Sequence, residues 1–404
     1  MSALKYWIWL ATLSGLHRRS KLLLLEHFAS PEAVYFAQPE EIRLVKELTA
    51  SQMELLEQKS LERAEEILAA CARNGIFVVT MADAAYPNRL RNIFDAPILL
   101  YGKGKMPLFD EEAAIAVVGT RKCTPYGTRV AEKLGYEMAT QGAVVVSGLA
   151  RGIDSAAHRG ALRAGGFVAA VLGCGVDVVY PAESRRLYED IASMGVLLSE
   201  YPPGTLPESW HFPARNRIIS GLSLATVVVE APEKSGALIT AGLALEQGRD
   251  VYAVPGCVDA AASRGCNQLI RDGAGLAGES WDILGEYQSQ YPHKLKNQKK
   301  ELPPLPEKSH VEEETLKSAE PAEKELPSVD LKKNSNGLTD DQIAVLRILS
   351  TDEPRLSDEI AEGTGLSVRR ILAALTLLEI EGYIRQDGAR CFVRTVQICE
   401  DKEG

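Results

Sequence analysis

Two arginines and an asparagine stand together in Pro213-Ala214-Arg215-Asn216-Arg217-Ile218-Ile219-Ser220-Gly221-Leu222-Ser223, just ahead of the strand-like run Ala225-Thr226-Val227-Val228-Val229. The spacing places Arg215, Asn216 and Arg217 on a turn and the first helical residues beside a buried strand. Guanidinium forks match phosphate oxygens bidentately, so this position suits a phosphate-bearing ligand. The same arginines would equally serve as structural clamps paired with Glu200 and Glu230. Further basic side chains follow other strand-like runs: Arg121 and Lys122 in Gly119-Thr120-Arg121-Lys122, Arg151 in Ser147-Gly148-Leu149-Ala150-Arg151-Gly152-Ile153-Asp154, and Lys234 in Lys234-Ser235-Gly236-Ala237. The glycines Gly148, Gly152 and Gly236 let backbone N–H groups approach a ligand at helix starts, which attract anions. Ser147 and Ser235 add hydroxyls there. Ordinary turn geometry explains any one glycine, but not six basic residues converging on one rim.

The elements that must position these residues are legible from residue 75 to about 285. Short β-branched or apolar runs at 77–80, 98–101, 114–118, 143–146, 167–172, 195–198, 225–229 and 251–254 alternate with helical stretches of roughly a dozen residues. That alternation predicts an α/β fold, an extended Rossmann-like doubly wound, mostly parallel sheet over residues 74–286. Ligands then bind beyond the carboxyl ends of the strands, where the basic residues fall. Residues 1–73 read as an N-terminal all-α module: Leu22 to Leu25 and Phe28 give an apolar face, and Ser30-Pro31-Glu32 and Gln38-Pro39-Glu40 open helices. Its Gly15-Leu16 and Leu25 to Val34 pattern resembles SAM or helix-hairpin-helix repeats, although Val45-Lys46-Glu47-Leu48-Thr49 lacks a hairpin glycine. Packing or partner docking is the alternative to DNA contact. Residues 287–337, rich in proline, lysine and glutamate, are expected to form a disordered linker. Residues 338–399 predict a winged helix: helices at 340–349, 357–363 and 367–381, then a hairpin around Asp387-Gly388. Arg369 and Arg370 open its third helix.

Net charge is −10 and the charged fraction 25%, ordinary for a soluble globular chain. A local groove, not the sum, decides nucleic-acid binding. The seven cysteines are scattered without metal-like spacing, so neither a disulfide framework nor a metal is expected. No run approaches a membrane span, and a cytoplasmic protein is expected. GxGxxG is absent after the first main strand, Gly173-Cys174-Gly175 lacks its final glycine, and no Walker A loop occurs, so no cofactor is expected. His158 and His211 lack a nucleophile partner, Asp154 reads as a helix N-cap, and the carboxylates Glu200 and Glu230 suit salt bridges as well as catalysis. An enzyme is not expected.

The loops together resemble those of the DNA-processing protein A family (DprA, also called Smf). The resemblance rests on Gly119-Thr120-Arg121 with Tyr126-Gly127, residues 147–154, Ala157-His158, residues 213–223, Ser235 to Ala241, Gly248 to Val251, Val254-Pro255-Gly256 and Gly265 to Ile270. The first motif usually reads Gly-Ser-Arg, and Thr120 keeps the hydroxyl. The resemblance implies a non-catalytic homodimer that binds single-stranded DNA, protects incoming strands in natural transformation and loads the RecA recombinase. By motif position it carries the DNA pocket to Arg121, Ser147, Gly148, Gly152, Arg215, Arg217 and Lys234, with Arg121 and Arg217 as the foremost phosphate contacts. Tyr126, Trp210 and Phe212 are candidate stacking platforms. Two other readings remain: a nucleotide phosphoribohydrolase of the LOG (lysine-decarboxylase-like) type, whose glycine-rich loop and catalytic glutamate are missing at 234–240, and a winged-helix regulator sensing a nucleotide.

Overall fold

Runs such as Ala114–Val118 (AIAVV) and Val144–Ser147 (VVVS) are apolar and β-branched throughout, the composition of strands covered on both faces. In a computed structural model, which describes residues 2–298, 328–329, 337–351, 355–386 and 391–398, they build a nine-stranded sheet. Its strands are β1 (Phe77–Thr80), β2 (Leu99–Gly104), β3 (Ala114–Val118), β4 (Val144–Ser147), β5 (Val168–Val171), β6 (Val196–Ser199), β7 (Ala225–Val228), β8 (Asp250–Ala253) and β9 (Gly275–Leu276). Their order is β1-β2-β6-β5-β4-β3-β7-β8-β9. β3 to β9 run parallel, while β1 and β2 join antiparallel beyond β6.

Alternate residues of each strand feed two cores. Ala114, Ala116 and Val118 face the core shared with helices His211–Gly221 and Gly236–Glu246, whereas Ile115 and Val117 face helices Pro125–Thr140, Ile153–Arg163 and Arg185–Met194. The chain leaves β3 through β4, β5 and β6, then returns to β7 on β3's other side. That reversal opens a crevice at the carboxyl ends of β3 and β7.

Residues 1–305 form one compact unit and residues 306–404 a second. The helices of the expected N-terminal module do not close a core of their own. Ile8, Trp9, Leu24, Val34, Leu56 and Cys71 lie in the same buried cluster as Val79, Leu100 and Val146. The first hairpin uses Gly15 at φ +89°, and the glycine-less second one turns with Glu47 at φ +71°. The expected start of the linker at 287 is also displaced. Tyr287 and Leu295 are buried, and Lys294 pairs with Glu112 at 2.6 Å, so folded chain continues to residue 298. The linker's remainder lies mostly outside the described residues, as does the expected turn at Asp387-Gly388.

In the second unit, helices Asp340–Ile348, Ser357–Thr364 and Val368–Ile380 pack around Val345, Ile360, Ile371, Leu375 and Leu378. Strands Arg355–Leu356, Cys391–Arg394 and Ile384–Gln386 pair antiparallel beside them, giving a winged helix. Among the described residues no helix is long and apolar enough to cross a membrane.

Candidate nucleic-acid interface

A pocket of about 530 Å³ occupies the crevice. Its walls come from the residues after β3 (Gly119 to Arg121), the loop after β5 (Tyr180), the start of helix His211–Gly221 (Phe212, Asn216) and the loop after β7 (Lys234 to Ala237). Three loops and one helix start at the same sheet end thus converge, as the topology demands.

The exposed layer is cationic and aromatic. Arg121 is exposed, and its guanidinium lies 4.8 Å from the centroid of the Phe212 ring. Among the described residues no ion pair occupies it, so stacking on Phe212 orients the fork while leaving its donors free for an anion. Tyr180 lies 5.4 Å from Phe212, ring centre to ring centre, and is 40% exposed. Across the pocket, Lys234 is exposed and without an ion pair among the described residues. Beside it the Ser235 hydroxyl accepts from Ala237 N (3.3 Å), which sets the first turn of helix Gly236–Glu246 with its N–H groups toward the pocket rim. Gly236 has open space around it, so its smallness keeps that rim accessible and relieves no crowding.

Under this layer lies a buried one. Arg215 reaches the pocket floor but is only 4% exposed, and it donates to the Val171 carbonyl. Burial pulls its pKa down to about 10, against the opposing charge of Asp154. Burial pushes the Asp154 carboxyl upward, while Arg215 and the backbone N–H groups of Ala150 and Gly148 act against that rise. Asp154 is not the N-cap expected of it. Gly152 holds that position, and Asp154 accepts from Gly148 N at 3.1 Å, tying the loop after β4 to the helix that follows. The Ser147 hydroxyl is spent on the Val117 carbonyl at 2.6 Å. A Cβ on Gly148 would strike the Arg215 guanidinium. Ser147 and Gly148 therefore shape the floor, with the Ser147 hydroxyl and the Gly148 N–H both engaged within the protein. His158, fully buried near Arg215, is held down to about 3 by burial and that guanidinium, so its ring is neutral.

Arg217 overturns the expectation placed on it. It is 3% exposed and does not line the pocket: Nε pairs with Asp95 at 2.8 Å and Nη2 with Glu200 at 2.7 Å. Glu200 also accepts from Arg18 (3.1 Å), which joins the N-terminal helices to the sheet. Arg217 thus stands as a clamp, turned away from the pocket. Glu230 pairs with neither arginine, since its carboxylate accepts from Thr124 N (2.8 Å) and Oγ1 (2.7 Å) and anchors the start of helix Pro125–Thr140. Lys122 is exposed outside the pocket, and Arg151 lies on an adjoining rim paired with Glu183. Tyr126 and Trp210 are exposed but line no part of the pocket. Tyr180 escaped the sequence reading because it sits nine residues past Val171, in a loop with no recognisable motif.

Gly152 does not line the pocket, but its backbone demands glycine. It sits at φ +77°, ψ −126°, and a Cβ would strike the Thr120 carbonyl. Gly152→Ala is expected to cost about 2–4 kcal/mol from backbone strain plus overpacking, seen as a lower urea midpoint at unchanged m-value.

Residues 77–288 match the DNA recombination-mediator protein A family, and residues 329–389 match the DprA winged helix domain. The chain is 46% identical over 209 residues to the DNA processing protein DprA of Streptococcus pneumoniae, across 52% of this chain and 73% of that protein. It is 33% identical over 393 residues to Protein Smf of Synechocystis, covering 95% and 96% respectively. The X-ray structure of the Streptococcus pneumoniae protein superposes with a TM-score of 0.63 at 38% identity, covering 71% of this chain and 99% of that one. With its sheet, its crevice and its winged helix all accounted for, the chain belongs to the DNA recombination-mediator protein A family.

Proposed function

We propose that the chain binds single-stranded DNA without sequence preference in the crevice over β3 and β7, and that as a cytoplasmic homodimer it hands the strand to a RecA-type recombinase. The observation that carries the binding is the pairing of an uncommitted guanidinium, Arg121 over Phe212, with Lys234 and a helix start across one pocket. Cations hold the backbone, and the Phe212–Tyr180 pair offers a surface on which an unstacked base can lie. A duplex keeps its bases stacked inside, so that surface favours single strands. The carboxylates nearest the pocket are engaged, Asp154 beside Arg215 and Glu230 by Thr124, which supports holding a polyanion over cleaving it. Delivery to a recombinase and the homodimer rest on family membership.

Mobility-shift titration of the full chain with oligothymidylate and with duplex of equal length tests the binding. The single strand is expected to bind more tightly. Its log affinity should fall with log salt by about 0.7 per phosphate neutralised. Equal binding of both forms, or binding indifferent to salt, would overturn the reading.

A further inference from the structure

The main pocket does not end at Tyr180. A smaller cleft shares Arg121, Ala150, Tyr180 and Phe212 with it and extends to Arg151. Arg151 in turn lines a second depression of about 490 Å³, with Ser155, Arg159, Ser184 and Arg186 along its walls. We propose that this depression is a second phosphate-binding subsite, through which a single strand leaving the main pocket continues past Arg151 toward Arg186.

The charges there favour a visiting anion. Arg185 and Arg186 are exposed, and among the described residues neither has an ion pair. They stand in the first turn of helix Arg185–Met194, and that turn carries no acidic residue. Cations at that end oppose the helix's own dipole, so local helix stability does not explain them. Arg151 and Arg159 are held by Glu183 and Glu132, but both arginines are about half exposed or more, at 64% and 46% of the side chain. The Arg151–Glu183 pair is exposed on both sides, and such pairs are weak and exchange readily, so a phosphate can displace Glu183 from Arg151, whereas the largely buried Glu132 holds Arg159 in place. Glu183 and Asp190 also line the depression and limit it to a secondary role behind the main pocket. A polyanion that passes from Arg121 by Arg151 to Arg186 follows a row of cavities in which each shares a lining arginine with the next.

This inference rests on the proposed binding of single strands, and oligonucleotide length separates the two. The full chain and its Arg185→Ala, Arg186→Ala variant are titrated with a short oligothymidylate that fills only the main pocket and with one several times longer. The variant is expected to bind the short strand as the wild type does. It should bind the long strand about tenfold or more weakly, with a salt slope reduced by about 0.7 for each phosphate that is no longer neutralised. Wild-type affinity and slope on the long strand would overturn the second subsite alone, as would equal losses on both lengths. A wild-type chain that binds neither strand would overturn the function proposed above and this inference with it. Arg186→Glu repeats the test with the charge reversed and should enlarge the length-dependent loss.

Discussion

Arg217→Ala is expected to lower the stability of the first unit by about 2–3 kcal/mol, less than the cost of stranding a fully buried charge because the carboxylates left behind are partly exposed and Glu200 keeps Arg18. The substitution leaves Glu200, whose side chain is 19% exposed, with Arg18 but without its 2.7 Å partner, and leaves Asp95, 34% exposed, unpaired. Urea unfolding followed by circular dichroism measures the loss. Binding by the folded fraction should stay near wild type, because Arg217 does not line the pocket. A variant of unchanged stability and sharply reduced affinity would show instead that Arg217 touches the strand. Acid reports on the same cluster. Burial alone would raise the Glu200 pKa, but Arg217, Arg18 and Lys21 outweigh it and leave the carboxyl below its ordinary 4.5. A carboxylate with a depressed folded pKa contributes stability that is complete above its unfolded value and is lost as pH falls through the folded one. Wild-type stability should therefore decline below about pH 4.5, and that decline should be shallower in Glu200→Gln.

The two arginines of 213–223 show where the sequence stops informing. Residues two apart on a helix project to different faces, so Arg215 and Arg217 of helix His211–Gly221 cannot both meet one ligand. Reading the segment as a turn with a helix start hid that conflict. Which arginine faces inward depends on Asp95, 122 residues away in the chain, and on Glu200, whose other partner Arg18 is 182 residues from it. No local pattern encodes such a meeting. The strands were legible because AIAVV, VVVS and VAAV admit little but a buried parallel strand. The two-residue strand Gly275–Leu276 carries no such pattern and was missed. The position of the pocket was legible too, since it follows from where the strand order reverses. Of its aromatic wall Phe212 was legible and Tyr180 was not, because Tyr180 reaches Phe212 from a loop whose path depends on the whole sheet end. The packing of the N-terminal helices was not legible for a related reason. The N-terminal helices are amphipathic enough to look self-contained, yet their apolar faces complete the sheet's own cluster.

The complementary experiment removes charge from the exposed layer. Arg121→Ala with Lys234→Ala should leave stability within about 0.5 kcal/mol of wild type, because both side chains are exposed and neither is ion-paired among the described residues. If both hold phosphates, each substitution removes a charge-assisted hydrogen bond worth about 1.5–3 kcal/mol. Together they should weaken oligothymidylate binding by roughly two to four orders of magnitude. Arg121→Lys distinguishes charge from shape: the ammonium keeps the charge but loses the planar fork stacked on Phe212. It should recover only part of the affinity, and none of the part that Phe212→Ala removes from the wild type. Fluorescence anisotropy at low and at high salt reads each of these variants. A double variant that binds like the wild type, with the same salt slope, would place the strand elsewhere on the protein. A double variant that binds poorly while Arg217→Ala binds well per folded molecule would divide the basic residues as the geometry does. Arg121 and Lys234 would then hold the ligand, and Arg217 the protein.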